Sequence, residues 1–211
     1  MTRKDVMASK KDSKASPTRK FAKPVKAPAR RSWGMIASFT AVGVVAAVII
    51  GYGAFASWRG TRPWDQRLSA LAGVTNYQQQ KPAWLTSNHK SGPLKYEVSP
   101  SVGGDHNAEW QSCTGAVYDA PIAAEHATHS MEHGAVWVTY RTGLAAEQIT
   151  QLAERVRGAD YTLMSPHEGL ARPISLQAWG YQLAVDSADD ARIDQFLAAA
   201  RINAGPEQGA A

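Results

Sequence analysis

The chain has 211 residues, a formal net charge of +5 and a pI near 9.4, but the charge is unevenly distributed. Residues 1–32 hold eleven Lys/Arg against Asp5 and Asp12, whereas residues 33–211 hold 12 basic and 16 acidic side chains. A nucleic-acid grip would therefore rest on the tail alone and is not expected, and the single cysteine, Cys113, rules out an intramolecular disulfide and any CxxC zinc or redox framework.

The tail, residues 1–32, is rich in Lys, Ser, Pro and Ala and reads as disordered. Gly34 to Ser57 then runs for 24 residues without a charge, roughly 36 Å as a helix, with Trp33 and Trp58 at its ends and Arg30, Arg31 and Arg59 around it. Residues 33–58 are thus expected to form one transmembrane helix. The basic excess before it places the N-terminus in the cytoplasm and the rest of the chain outside it. A cleaved signal with Ala54-Phe55-Ala56 at its end is the competing reading, but its apolar region should be about 7–15 residues.

Beyond the span, residues 59–80 read as a juxtamembrane helix and linker, with Leu68, Leu71 and Val74 at helical spacing. Residues 81–211 read as one α+β domain. Lys81 to Asn107 is Pro-, Gly-, Ser- and Asn-rich and should be mostly loop, with a short strand near Leu94–Val98. Ala135–Tyr140 is a β-branched and aromatic run between glycines, a strand; Ala145–Arg157 is a helix with Ile149, Leu152 and Val156 on one face and Gly158 after it. Tyr161–Met164 is a short strand, Ile174–Val185 a longer one around Gly180, and Ala188–Ile202 a helix behind the cap Ser187, with Ile193, Phe196 and Leu197 inward. The order implies helices on one face of a mainly antiparallel sheet, with a ferredoxin-like arrangement as template.

The densest chemistry is His126-Ala-Thr-His129-Ser-Met131-Glu132-His133-Gly134, which holds three of the six histidines. Pro121 suits a helix start and Gly134 the position after a helix end, so His126, His129 and His133 would share a face. If the segment is extended, His129, Met131 and His133 line one side. Both geometries gather imidazoles, the commonest metal-ligating side chains, and the thioether argues for copper over zinc. A hydrogen-bonded structural cluster is the alternative. His129-Ser-Met-Glu132-His133 also fits H-x-x-E-H, in which two histidines hold zinc and the glutamate is a general base; the further acidic ligand would be Glu147, Glu154 or Glu168. Pro100-Ser-Val-Gly103-Gly104-Asp105-His106-Asn107 is a glycine-rich loop able to bring His106 to the cluster, while His89 and His167 fall in loops and read as exposed.

Gly103-Gly104-x-His106-Asn107, Trp110-Gln-x-Cys113, His129-Ser-Met-Glu132-His133-Gly134-Ala-Val-Trp-Val and Ala178-Trp179-Gly180 together resemble the bacterial family named domain of unknown function 3105. The resemblance covers residues 65–209. It implies a cytoplasmic tail, one span and an exported domain, and no established activity. It places weight on His106, His129, Glu132 and His133 and away from His126. Many members end in a cysteine after Glu-x-Gly-Ala that would bond the residue matching Cys113; here Glu207-Gln-Gly-Ala-Ala211 ends without one, which leaves Cys113 as a soft ligand for copper. The expectation is a membrane-anchored domain binding a transition metal, copper before zinc, through His106, His129, Met131 and His133, with Glu132 and His126 beside them. An envelope protein-interaction module is the alternative and a zinc metallohydrolase the third reading. The partners expected are the membrane and another envelope protein, with no nucleic acid.

Overall fold

The computed structural model describes residues 33–208, apart from the side chains of residues 33–36 and 59; the basic tail, residues 1–32, lies outside the described residues. Helix α1 runs Trp33–Gly60. Within it the 22 residues Ala37–Trp58 are long and apolar enough to cross a membrane, and Phe39, Val42, Val45 and Ile49 are all exposed along it. A helix apolar on every side has no water-facing surface and is stable where its surroundings are apolar too. This one helix is compatible with a single-pass anchor.

The second unit is an α+β fold on a six-stranded sheet. After α2 (Trp64–Ser69) come β1 (Val74–Asn76), α3 (Tyr77–Gln80), β2 (Thr114–Val117), α4 (Ala124–Glu132), β3 (Val136–Tyr140), α5 (Ala146–Val156), β4 (Thr162–Pro166), β5 (Ile174–Ala178), β6 (Tyr181–Val185) and α6 (Arg192–Ala200). The strand order is β1-β6-β5-β3-β4-β2. The β1–β6, β6–β5 and β5–β3 pairs are antiparallel, and β3–β4 and β4–β2 are parallel. The sheet is therefore mixed, and it does not follow the ferredoxin-like template.

Two physical reasons account for most differences from the expected layout. Ile174–Val185 is two strands, because Gly180 at φ +77° turns the chain back and lets β5 and β6 pair directly. And the helices occupy both faces. The β2–α4–β3 connection steps two strands along the sheet, while β3–α5–β4 steps back one; crossovers of one hand that run in opposite directions must lie on opposite faces. Alternate residues of β3 confirm the split. Val136, Val138 and Tyr140 join the main core with Leu152 and Val156 of α5, Ile193 and Phe196 of α6, and Leu68 of α2, whereas Trp137 packs with Ala127 and Met131 of α4, Leu163 and Trp179.

Residues 64–80, read from sequence as helix and linker, supply an edge strand: Val74 pairs with Leu183, and Leu68 is fully buried. Residues 94–98 form no strand; the 81–107 segment stays irregular except for a single bridge between His89 and His106. α6 begins at Arg192 rather than near Ala188, after Ala191 and not Ser187.

Candidate metal centre

α4 carries the densest part of the site, and its end is built by Gly134. The Gly134 N–H donates to Met131 O at 3.0 Å and the Ala135 N–H to Ser130 O at 3.0 Å, the paired bonds of a left-handed helix stop. Gly134 sits at φ +99°, and a Cβ there would lie 2.7 Å from Ile202 O, so both the backbone turn and the close approach require glycine. The stop leaves His133 at the helix terminus, one turn beyond His129, with Glu132 beside it.

Two other segments close on this helix end. His89 and His106 form a parallel bridge, with the Lys90 N–H donating to His106 O (2.7 Å) and the His106 N–H to Asn88 O (3.0 Å). Asp105 pins that bridge: its carboxylate accepts from Thr86 Oγ1 at 2.5 Å and Asn88 Nδ2 at 2.9 Å and pairs with Lys90. Lys90, Thr86 and Asn88 together hold the Asp105 carboxyl well below the usual carboxylate range. From the other side comes the C-terminal segment, where the Ile202 N–H donates to Gly134 O (2.8 Å) and the Glu207 N–H to Glu132 O (3.1 Å).

The result is a cluster of four imidazoles and two carboxylates. His89, His106, His129 and Glu132 offer ligand atoms all within 4.8 Å of one another, and Glu132, His133 and Glu207 do the same. His106 is 0% exposed, Glu132 2%, His129 4% and His133 9%, while the His89 side chain is 54% exposed. The indole of Trp110, itself exposed, stands edge-on to His129 at 5.7 Å and to His133 at 6.4 Å.

The tautomers follow from the backbone. Each buried ring sets Nδ1 against a carbonyl: His106 on Gly104 O (2.9 Å), His129 on Asn107 O (2.8 Å), His133 on Glu207 O (3.1 Å). A carbonyl only accepts, so each Nδ1 carries the proton and each neutral ring turns an Nε2 lone pair inward. His129 Nε2 and His133 Nε2 meet at 2.9 Å. His106 Nε2 lies 2.9 Å from Glu132 Oε2, yet outside hydrogen-bonding direction, and has no partner of that kind. Burial, countered by the Asn107 carbonyl and reinforced by the neighbouring His106, His133 and His89, pushes the His129 imidazolium below its ordinary pKa and favours the neutral, ligating ring. A buried imidazole nitrogen without a hydrogen-bond partner beside a carboxylate oxygen is the chemistry of a cation site.

Of the residues singled out from sequence, the structure brings His106, His129, Glu132 and His133 together. It does not bring Met131 or His126 among them. Met131 is two residues from His129 on the helix, so it points to the opposite side and is fully buried against Trp137 and Leu163. His126 lies partly exposed a turn earlier and belongs to neither ligand group. Cys113 is buried in the same apolar cluster as Met131. The segment is helical, so the alternative extended row of His129, Met131 and His133 does not form. Glu147, Glu154 and Glu168 are outside both groups; the acid brought to the cluster is Glu207. Sequence reasoning missed His89 and Glu207. The polar run Thr86, Asn88, Lys90 around His89, able to tie a loop to an acid, was the available signal for the first; nothing local marked the second.

No curated protein and no solved structure matches the chain. The family model described as "Protein of unknown function (DUF3105)" matches residues 88–211, a span that takes in every histidine of the cluster and Glu207, and the chain belongs to that family.

Proposed function

We propose that the chain is a membrane-anchored protein whose extracytoplasmic domain binds a divalent transition metal through His89, His106, His129 and Glu132. The observation that carries this is the buried Nε2 of His106, unpartnered by any hydrogen bond and 2.9 Å from Glu132 Oε2, with the His129 lone pair turned to the same space. A purely structural histidine network would be expected to place protons between these atoms. Here the protons are committed to backbone carbonyls on the far side of each ring, the outer arrangement that orients ligand imidazoles toward a metal.

All donors are nitrogen and oxygen. That suits Cu²⁺, Zn²⁺, Fe²⁺ or Ni²⁺, and the general affinity order makes Cu²⁺ the tightest of them. Copper is retained as the favoured ion on that ground, in its divalent state, since the sulfur of Met131 points into the core. The half-exposed His89 gives an ion a route in from solvent. Orientation follows from the basic residues before α1, which favour a cytoplasmic N-terminus.

The test is metal titration of the full chain in detergent after chelation, with Cu²⁺ and Zn²⁺, against His106→Ala and His129→Ala. Sub-micromolar binding lost in both variants, with far-ultraviolet circular dichroism unchanged, supports the reading. A folded wild-type protein that binds neither ion refutes it and would favour an envelope interaction module instead.

A further inference from the structure

We infer that the centre is dinuclear, with the Glu132 carboxylate bridging one divalent cation held by His89, His106 and His129 and a second held by His133 and Glu207. This rests on the metal-binding reading above and extends it. Two ligand groups have Glu132 in common: His89, His106 and His129 belong to one, His133 and Glu207 to the other, each compact to within 4.8 Å. A carboxylate offers two oxygens and about four lone pairs, enough for two ions, and paired-metal sites place their ions about 3.5–4 Å apart.

The second half of the site is built as deliberately as the first. The Glu207 carbonyl accepts from His133 Nδ1 and the Glu207 N–H donates to Glu132 O, so one residue both sets the His133 tautomer and brings its own carboxylate alongside. Gly205 permits this approach, since a Cβ there would stand 2.2 Å from Glu132 O and 2.4 Å from Gly134 N. Glu207 adds a second carboxylate to the site, the charge compensation a second dication needs. Both ions have solvent on one side, because His89 and Glu207 are the exposed ligands, so each keeps positions for water or for an oxygen-donor substrate.

The experiment is Cu²⁺ loading of the chelator-stripped full chain in detergent micelles, read by metal analysis after desalting and by electron paramagnetic resonance, for wild type and Glu207→Gln. Glu207 is exposed, so the variant should fold, and circular dichroism checks that it does. The expected result is two equivalents with a spin-coupled signal in wild type, and one equivalent with an uncoupled signal in E207Q. One uncoupled equivalent in wild type overturns the dinuclear centre, and two retained in E207Q overturns Glu207 as a ligand of the second ion; both leave the metal-binding reading intact. No bound copper in wild type overturns both.

Discussion

Gly205→Ala isolates the contribution of the C-terminal clamp. Gly205 is outside the left-handed backbone region, so alanine costs nothing in backbone conformation there, and the whole effect comes from contact. The new methyl would stand 2.2 Å from Glu132 O, 2.4 Å from Gly134 N and 2.8 Å from Gly134 Cα. All three are backbone atoms at the end of α4, so no side chain can rotate away. Reaching an ordinary carbon contact near 3.5 Å requires the segment to retreat by about 1.3 Å. That retreat breaks the bonds from the Glu207 N–H to Glu132 O and from His133 Nδ1 to Glu207 O, both 3.1 Å at present. Overpacking costs about 1–3 kcal/mol and each of the two hydrogen bonds about 1 kcal/mol, so a loss of roughly 3–5 kcal/mol is expected. For a domain of this size that is a fall in Tm of about 6–20 °C. Differential scanning fluorimetry and urea unfolding of the full chain in detergent read it, and metal affinity should fall alongside, because His133 loses its fixed tautomer. A G205A protein whose Tm stays within about 1 °C of wild type and whose metal affinity is unchanged would show that the clamp is not as placed, and the argument for Glu207 would go with it.

Cu²⁺ at a hundred times its dissociation constant should stabilise the fold by about 2.7 kcal/mol; thermal melts should show the gain in wild type and not in His106→Ala. His129 is held below its ordinary value of 6.5, chiefly by burial, so between those two values the unfolded chain binds more protons than the folded one. Apo stability should therefore rise with pH through that window, and denaturant melts from pH 4 to 8 showing the opposite slope for wild type relative to His129→Gln would contradict the placement. Asp105 is shifted down by Lys90, Thr86 and Asn88, so its contribution is complete above 3.8 and is lost as pH falls toward its lowered value; Asp105→Asn should cost about 1–2 kcal/mol and weaken metal binding by loosening the His89–His106 bridge. Fluorescence spectra should show Cu²⁺ quenching that Trp110→Phe reduces and Trp110→Phe with Trp179→Phe reduces further, since those rings stand 5.7 Å from His129 and 5.8 Å from His106.

Local chemistry was legible wherever a short stretch decides its own structure. The 22-residue apolar run makes a helix that can cross a membrane, the β-branched run makes β3, and the helix stop at Gly134 follows from the one residue able to take φ +99° there. Three of the cluster's residues, His129, Glu132 and His133, were singled out because their density is itself a local property, and His106 by its glycine-rich loop and the family resemblance. The failures lay where strands pair over long separations. β2 is four residues long and is defined by its parallel partner β4, and β1 exists because β6 offers it an edge.

The sequence by itself determined an apolar helix following a basic tail, an α+β domain, and a histidine-rich helix end closed by glycine. Only the tertiary structure decided which side chains share the site. Helix geometry turned Met131 toward Trp137 and left His129, Glu132 and His133 to face the loops. Contacts across 43 residues for His89 and Glu132, and across 74 for His133 and Glu207, supplied the remaining members of the cluster. The reason is physical: propensity and capping act over a turn or two of chain, whereas a ligand set needs donors converging from several directions, and convergence is a property of the packed sheet and the loops it holds together.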